Sequence, residues 1–343
     1  MEKHCKATVL GGGSFGTAIA NILADNGHDV SLWMRNQQSV DEILTTNENT
    51  RYLPGYKLNK KLKASTDIAT TLENADVVFI AVPSKSALAV IHQCNPYLND
   101  SSILVSTTKG IQENGFTFMS QLLEEHTSNQ SIGVLSGPNL AKEIAARKLT
   151  GTVIASKSEY VRNRIQKLLS CSYFRVYGNS DVYGVELAGA LKNIYAIAAG
   201  MATAMAAGEN TKSMLITRSL AEMSRLAAKL GANPFTFLGL AGVGDLFATC
   251  TSPLSRNFQV GFNVGKGLSL DQTLENLEGT AEGINTIRIV KQKADEMRVN
   301  MPLVQGLHAI LFEGAEQIRV LKKLLLTENT ADVEFMLPQS ECN

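Results

Sequence analysis

A single lysine is set into a run of small and apolar residues, GALKNIYAIAAGMATAMAAG, at positions 189–208. An ammonium is costly to bury without a partner or a function, so Lys192 marks this segment chemically. At about 100° per residue, Leu187, Leu191, Ile194, Met201 and Met205 share one stripe of a helix and form a core face. Ala188, Lys192, Ala196, Ala199 and Thr203 share another, small everywhere except at the lysine. That second face is expected to leave room for a ligand, with the ammonium as its one reactive group. Burial lowers a lysine pKa toward neutrality, where the amine can take and return a proton as a general acid and base. The bland alternative is a lysine that snorkels to water or pairs with an acid. Asn193 points about a quarter-turn away, so it is expected either to orient Lys192 or to hold a substrate only at the edge of the groove.

Three other stretches carry polar groups in telling places. Lys109 follows a strand-like run in LVSTTKGI, and LSGPN ends the next run with Gly137 and Asn139. Residues just past the carboxyl ends of strands face the crevice of an open α/β sheet, although a surface lysine is equally at home there. In GLAGVGDLFATCTSPLSRNFQVG, Asp245 is expected in a Gly-rich turn whose backbone can be approached closely. Ser255, Arg256 and Asn257 then stand immediately before a helical pattern. A hydroxyl, a guanidinium, an amide and free helix N–H groups in one small volume are what a phosphate needs. The competing reading is a helix cap by Ser255 with Arg256 solvated. Glu282, in GTAEGI, is expected in a flexible loop, and its chemistry alone assigns it no role.

The N-terminal VLGGGSFGTAIA puts Gly11, Gly13 and Gly16 in a G-x-G-x-x-G pattern between a strand and a helix. Gly11 allows the tight turn, and Gly13 removes a Cβ where a pyrophosphate would approach. Gly16 lets the helix lie close to the sheet, with its first N–H groups facing the phosphates. The next strand ends in SLWMRN, which offers no acid to a ribose 2′-hydroxyl and places Arg35 there instead. A guanidinium suits a 2′-phosphate, so NADPH is favoured over NADH, with a solvated arginine as the alternative.

These groups need a scaffold, and the pattern supplies one. Strand-like runs at 6–12, 28–35, 76–83, 102–108, 131–138, 152–156 and 173–178 alternate with helical segments, the first at 14–26 and closed by Gly27. Strands apolar on both faces, alternating with helices, imply a parallel sheet covered on both sides. After about residue 180 the chain is expected to be all-α, with helices at 185–207, 211–230, 257–265, 270–277, 282–296 and 303–325. The division is thus 1–182 for a dinucleotide-binding domain, 183–327 for a helical substrate domain, and 328–343 for a flexible tail.

Thirty-two Lys and Arg offset thirty-two Asp and Glu, which excludes a polyanion-coating protein and leaves no nucleic-acid partner to expect. The opening MEKHCKATVLGGG carries an acid and no apolar stretch, so no signal peptide is expected. The only candidate membrane span, about 185–208, contains Glu186, Lys192 and Asn193 and is not expected to cross a bilayer. Five scattered cysteines without a C-x-x-C pair suit a reduced cytoplasmic protein. The histidines show no ligand spacing, so no metal is expected.

Taken together, GGGSFGTA, STTKGI, SGPNLAKEIA, ELAGALKNIYAIAAG, GVGDLFATCTSPLSRN and EGINT resemble the bacterial-type NAD(P)-dependent glycerol-3-phosphate dehydrogenases, in order, from residue 5 to about 320. The resemblance implies a Rossmann-type α/β N-terminal domain, a mostly parallel sheet with helices on both faces, and an all-α C-terminal domain. It implies interconversion of sn-glycerol 3-phosphate and dihydroxyacetone phosphate with NADP or NAD, in a homodimer that feeds phospholipid synthesis. Lys192 would be the proton acceptor, with Lys109 and Asp245 beside it in the catalytic group. Lys109, Gly137, Asp245, Ser255, Arg256 and Asn257 would contact substrate, and Asn139, Lys192 and Asn193, in the same motifs, are read as substrate contacts with them. Ser14, Phe15, Arg35, Lys109, Ala141, Arg256 and Glu282 would contact the coenzyme, together with the glycine loop. The rivals are a 6-phosphogluconate or β-hydroxyacid dehydrogenase, against which the SRN block argues, and a non-catalytic NAD(P)H sensor, against which the intact Lys192, Lys109 and Asp245 argue.

Overall fold

The computed structural model describes residues 4–112, 115–277 and 279–326. The apolar runs become the strands β1 (Lys6–Leu10), β2 (Asp29–Trp33), β3 (Lys63–Ser65), β4 (Val77–Ile80), β5 (Ile103–Ser106), β6 (Ile132–Ser136), β7 (Thr150–Ala155) and β8 (Phe174–Asn179). They form one sheet in the order β3-β2-β1-β4-β5-β6-β7-β8. All neighbours pair in parallel except β6 with β7. The order in which strands are added reverses between β1 and β4, which opens the crevice where open α/β sheets bind ligands. Periodicity did not reveal β3, which is three residues long and half-covered at the sheet edge.

Seven helices cover the sheet on both faces: α1 (Ser14–Asp25), α2 (Gln37–Thr46), α3 (Ile68–Leu72), α4 (Ser84–Cys94), α5 (Met119–His126), α6 (Ala141–Ala145) and α7 (Glu159–Leu169). Two buried apolar clusters, one on each side of the strands, hold these layers together. The expected first helix is α1, whose chain leaves through Asn26 and a left-handed Gly27 at φ +87°.

From Val182 onward the described residues are helical: α8 (Val182–Ala204), α9 (Glu209–Lys229), α10 (Asp245–Thr251), α11 (Arg256–Gly265), α12 (Leu270–Glu275), α13 (Glu282–Met297), α14 (Pro302–Phe312) and α15 (Gln317–Leu326). The single helix expected at 303–325 is two helices. Gly314 takes φ +72°, and Ala315 N–H folds back to Ala309 O at 3.0 Å, ending α14 before α15 begins. Both halves are amphipathic, so periodicity alone ran across the break. The expected flexible tail at 328–343 lies outside the described residues. No helix among the described residues is long and apolar enough to cross a membrane.

The lysine helix α8 is the centre of the helical half and is buried nearly all round. This corrects the expectation that its small face leaves room for a ligand along its length. A Cβ on Gly261 would lie 1.8 Å from Ile197 O, and one on Gly200 would lie 2.1 Å from Phe258 O, so α11 rests directly on the backbone of α8. The small residues of its second half serve helix–helix contact, leaving the first half for chemistry.

Two carboxylate–serine contacts fasten the halves together. Glu186 on α8 accepts the N–H of Ser120 at 3.0 Å and also its hydroxyl, at the start of α5. Glu282 on α13 accepts the N–H of Ser84 at 3.1 Å and its hydroxyl at 2.5 Å, at the start of α4. Each carboxylate satisfies a helix N-terminus that would otherwise present unpaired donors.

Candidate functional site

Lys192 emerges from the first half of α8 and is only 6% exposed. Its Nζ donates to Asp245 Oδ1 at 2.5 Å and to Thr249 Oγ1 at 2.6 Å. Asp245 does not sit in a turn, as its glycines suggest. Leu240–Gly244 form a π-helical turn that leads directly into α10, of which Asp245 is the first residue. Gly242 is required there, because a Cβ would lie 2.2 Å from Phe237 O. Thr249 is one turn further along α10, on the same face. Its hydroxyl donates to Asp245 O at 2.6 Å and so accepts from the lysine.

Lys109, three residues past β5, reaches the same carboxylate from the sheet side. Its Nζ donates to Asp245 Oδ2 at 2.7 Å and to Gly137 O at 2.7 Å. Gly137 takes φ +137° just past β6, where a side chain would press on Thr152. Two ammoniums therefore share one carboxylate, itself 1% exposed, and the group carries one net positive charge. Each ammonium has three N–H donors and two are engaged, leaving one apiece for a ligand. Lys109 is held below the ordinary lysine range. Burial pushes it down to about 8, with Lys192's charge adding to the effect and Asp245 opposing it.

The expected anion corner is only partly open. Ser255 caps α11, accepting Phe258 N–H at 3.3 Å, as the bland reading anticipated. The Asn257 amide is committed within the protein, donating to Asn193 Oδ1 at 2.9 Å and accepting Gly283 N–H at 3.0 Å. Asn193 is thus buried between α8 and α11 rather than at a groove edge. Arg256 remains exposed at the first position of α11, against Gly279, where a Cβ would lie 2.5 Å from its Nη1. Its guanidinium and the uncommitted first N–H groups of α11 are the groups an anion could meet here. Glu282 opens α13 and is not in a loop.

The glycine loop suits a pyrophosphate. Gly11 takes φ +118°, and a Cβ there would lie 2.5 Å from Ala81 O. A Cβ on Gly16 would lie 2.0 Å from Gly11 O, which fixes α1 against the loop. A Cβ on Gly13 would meet open space, and no side chain caps the α1 N-terminus, so its first N–H groups face that space. Asn49, which no sequence pattern singled out, holds the loop by donating to Gly12 O at 2.9 Å and Thr17 Oγ1 at 2.8 Å. Ser14 Oγ donates to Tyr52 O at 2.7 Å, Phe15 packs partly into the sheet core, and Ala141 opens α6 beside α1. Arg35 is exposed two residues past β2.

A dinucleotide-binding sheet half joined to a helical half, with a buried lysine–aspartate–lysine group between them, defines an NAD(P)-dependent oxidoreductase. The N-terminal and C-terminal profiles of NAD-dependent glycerol-3-phosphate dehydrogenase match residues 6–161 and 181–322. The chain belongs to that family. It is 55% identical over 98% of its length to glycerol-3-phosphate dehydrogenase [NAD(P)+] of Alcanivorax borkumensis, of which 98% is covered. It is 54% identical to the Teredinibacter turnerae protein of the same name, again over 98% of both chains. Among solved structures, glycerol-3-phosphate dehydrogenase from Coxiella burnetii superposes with a TM-score of 0.90 at 35% identity, over 94% of this chain and 99% of that one.

Proposed function

We propose that Lys192 is the general acid and base in the interconversion of sn-glycerol 3-phosphate and dihydroxyacetone phosphate that this NAD(P)-dependent dehydrogenase carries out. The observation that supports this most directly is the buried ammonium held at 2.5 Å by Asp245 with one N–H left over. When bound, the nicotinamide supplies or accepts hydride at C2 of the triose. Lys192 gives a proton to the C2 oxygen in reduction and, as the neutral amine, removes it in oxidation. Lys109 adds a second positive field where the oxyanion develops, and Asp245 holds both lysines in place. Arg256 and the α11 N-terminus grip the phosphate, so binding energy from that remote group fixes C2.

Gly11, Gly13, Gly16, Ser14 and Phe15 hold the pyrophosphate side of the coenzyme. Arg35 favours NADPH, since it stands past β2 where an acid would otherwise select NADH. The sheet half thus carries the coenzyme and the helical half the substrate. The family resemblance supports a cytoplasmic homodimer whose product feeds phospholipid synthesis.

The test is Lys192→Ala, assayed by coenzyme absorbance with dihydroxyacetone phosphate. Turnover is expected to fall by at least about 100- to 10,000-fold, with coenzyme affinity intact. Near-normal turnover would remove the lysine from this role. The same assay with NADPH and NADH, in the wild type and Arg35→Ala, checks the coenzyme preference.

A further inference from the structure

Buried hydrogen-bonding atoms in proteins nearly always have partners, so those without one point to what is missing. Two such atoms lie within four residues of each other at the crevice: Ser136 Oγ and Asn139 Oδ1. Gly137, between them, gives its carbonyl to Lys109. Ser136 Oγ faces α8, where a Cβ on Gly189 would lie 2.7 Å from it and 3.6 Å from Lys109 Cγ. The unpaired atoms therefore flank the anchor of a site lysine.

Thr152, on β7 and fully buried, determines which atom of the Asn139 amide is left unpaired. Its Oγ1 donates to Ser136 O at 3.0 Å and accepts from Asn139 Nδ2 at 3.0 Å. A hydroxyl has one proton, and a carbonyl can only accept. With that proton on Ser136 O, the threonine can only accept from Asn139, so the amide must turn its NH2 toward Thr152. Oδ1 is then left as a buried acceptor without a donor.

Dihydroxyacetone phosphate brings one donor. Its ketone and phosphate oxygens are acceptors, suited to the lysines and Arg256, whereas the hydroxymethyl O–H needs an acceptor. We propose that Thr152 is a positioning residue that locks the Asn139 amide, so that Oδ1 receives this hydroxyl and selects for it. The assignment rests on the reading of Asn139 as a substrate contact. The nicotinamide carboxamide, an N–H donor, is the other source of the same chemistry, and the test separates the two.

The experiment compares dihydroxyacetone phosphate with its deoxy analogue, in which methyl replaces hydroxymethyl, in wild type, Thr152→Val, Thr152→Ser and Asn139→Ala. Thermal melts accompany the kinetics, and Thr152→Ala replaces the valine variant if that one does not fold. The valine variant is expected to lose about tenfold in kcat/KM for dihydroxyacetone phosphate, the worth of one hydrogen bond, and to be unchanged with the deoxy analogue. Serine, which keeps the hydroxyl, restores the discrimination. An equal loss with both substrates, or none, overturns the proposal. A loss carried by the coenzyme KM does so too, and assigns the acceptor to the carboxamide. If Asn139→Ala loses the preference and Thr152→Val keeps it, Thr152 does not position the amide and the proposal falls. If Asn139→Ala treats both substrates as wild type does, the substrate role of Asn139 falls and the proposal with it.

Discussion

Replacing Asp245 by Asn removes the carboxylate that two ammoniums share while keeping its size and most of its hydrogen bonds. Lys109 reports the consequence. It titrates at about 8, below the ordinary 10.5, because burial and the Lys192 charge disfavour its ammonium although Asp245 already attracts it. Two unit charges about 3 Å apart attract by roughly 5 kcal/mol at an effective dielectric constant of ~20, an upper bound. Breaking a buried pair typically costs about 3–5 kcal/mol. At about 1.4 kcal/mol per pKa unit, the variant should lower the Lys109 titration by about two pH units or more. In the wild type, kcat/KM for ketone reduction is expected to fall as pH rises through about 8, where the site loses a positive charge. In Asp245→Asn that fall should come about two pH units lower, and in Lys109→Met it should vanish. The assay is coenzyme absorbance across neutral and alkaline pH at saturating coenzyme. The sign for stability is the reverse of an ordinary ion pair. Since the folded pKa lies below the unfolded one, the unfolded chain binds more protons between about 8 and 10.5, and stability rises with pH across that window. An alkaline limb that stays at its wild-type pH in Asp245→Asn, or moves upward, would refute the shared-carboxylate account.

Arg256→Ala should raise the KM for dihydroxyacetone phosphate by about 10- to 100-fold, the worth of a charge-assisted contact, and saturation at wild-type concentrations would show that the guanidinium does not hold the phosphate. Gly13→Ala should melt like the wild type, because its Cβ meets open space, but bind coenzyme poorly if that space takes the pyrophosphate as proposed. Gly16→Ala should lower the melting temperature even without coenzyme, because its Cβ would strike Gly11 O at 2.0 Å. Glu222, buried on α9, accepts Leu303 N–H at 2.6 Å, and burial pushes it up to about 7. Its contribution to stability is present below about 4.5 and lost as pH rises through about 7, so Glu222→Gln should flatten stability, read from melting temperature, against pH between those values, by about 3 kcal/mol at most.

The fold and the chemistry-bearing residues were legible where the signal is local. Strands apolar on both faces need only their own composition to declare a covered parallel sheet, and G-x-G-x-x-G between strand and helix declares a coenzyme loop. Lys192 announced itself by the cost of its burial, which depends on its neighbours in sequence. What offsets that cost does not. Asp245 is 53 residues away from Lys192 and 136 from Lys109, and its Gly-rich approach imitates a turn because Gly242 answers to the backbone at Phe237, which no pattern records. Had α10 been foreseen, the four-residue step from Asp245 to Thr249 would have put both on one helical face and found the lysine's second partner.

The same non-locality explains why the residue types of Ser255, Asn257 and Glu282 do not disclose the contacts they make within the protein. A hydroxyl, an amide and a carboxylate at helix starts can serve a ligand or the helix equally well. The structure commits Asn257 to Asn193 and Gly283, and Glu282 to Ser84, contacts that set α8, α11, α13 and α4 around the crevice. Polar residues in such a motif are therefore of two kinds: those whose hydrogen bonds close within the protein and hold the walls, and those left with a donor or acceptor over. Lys192, Lys109, Arg256 and Asn139 belong to the second kind. On the proposed function, that remainder, rather than the residue type, is what a substrate has to meet.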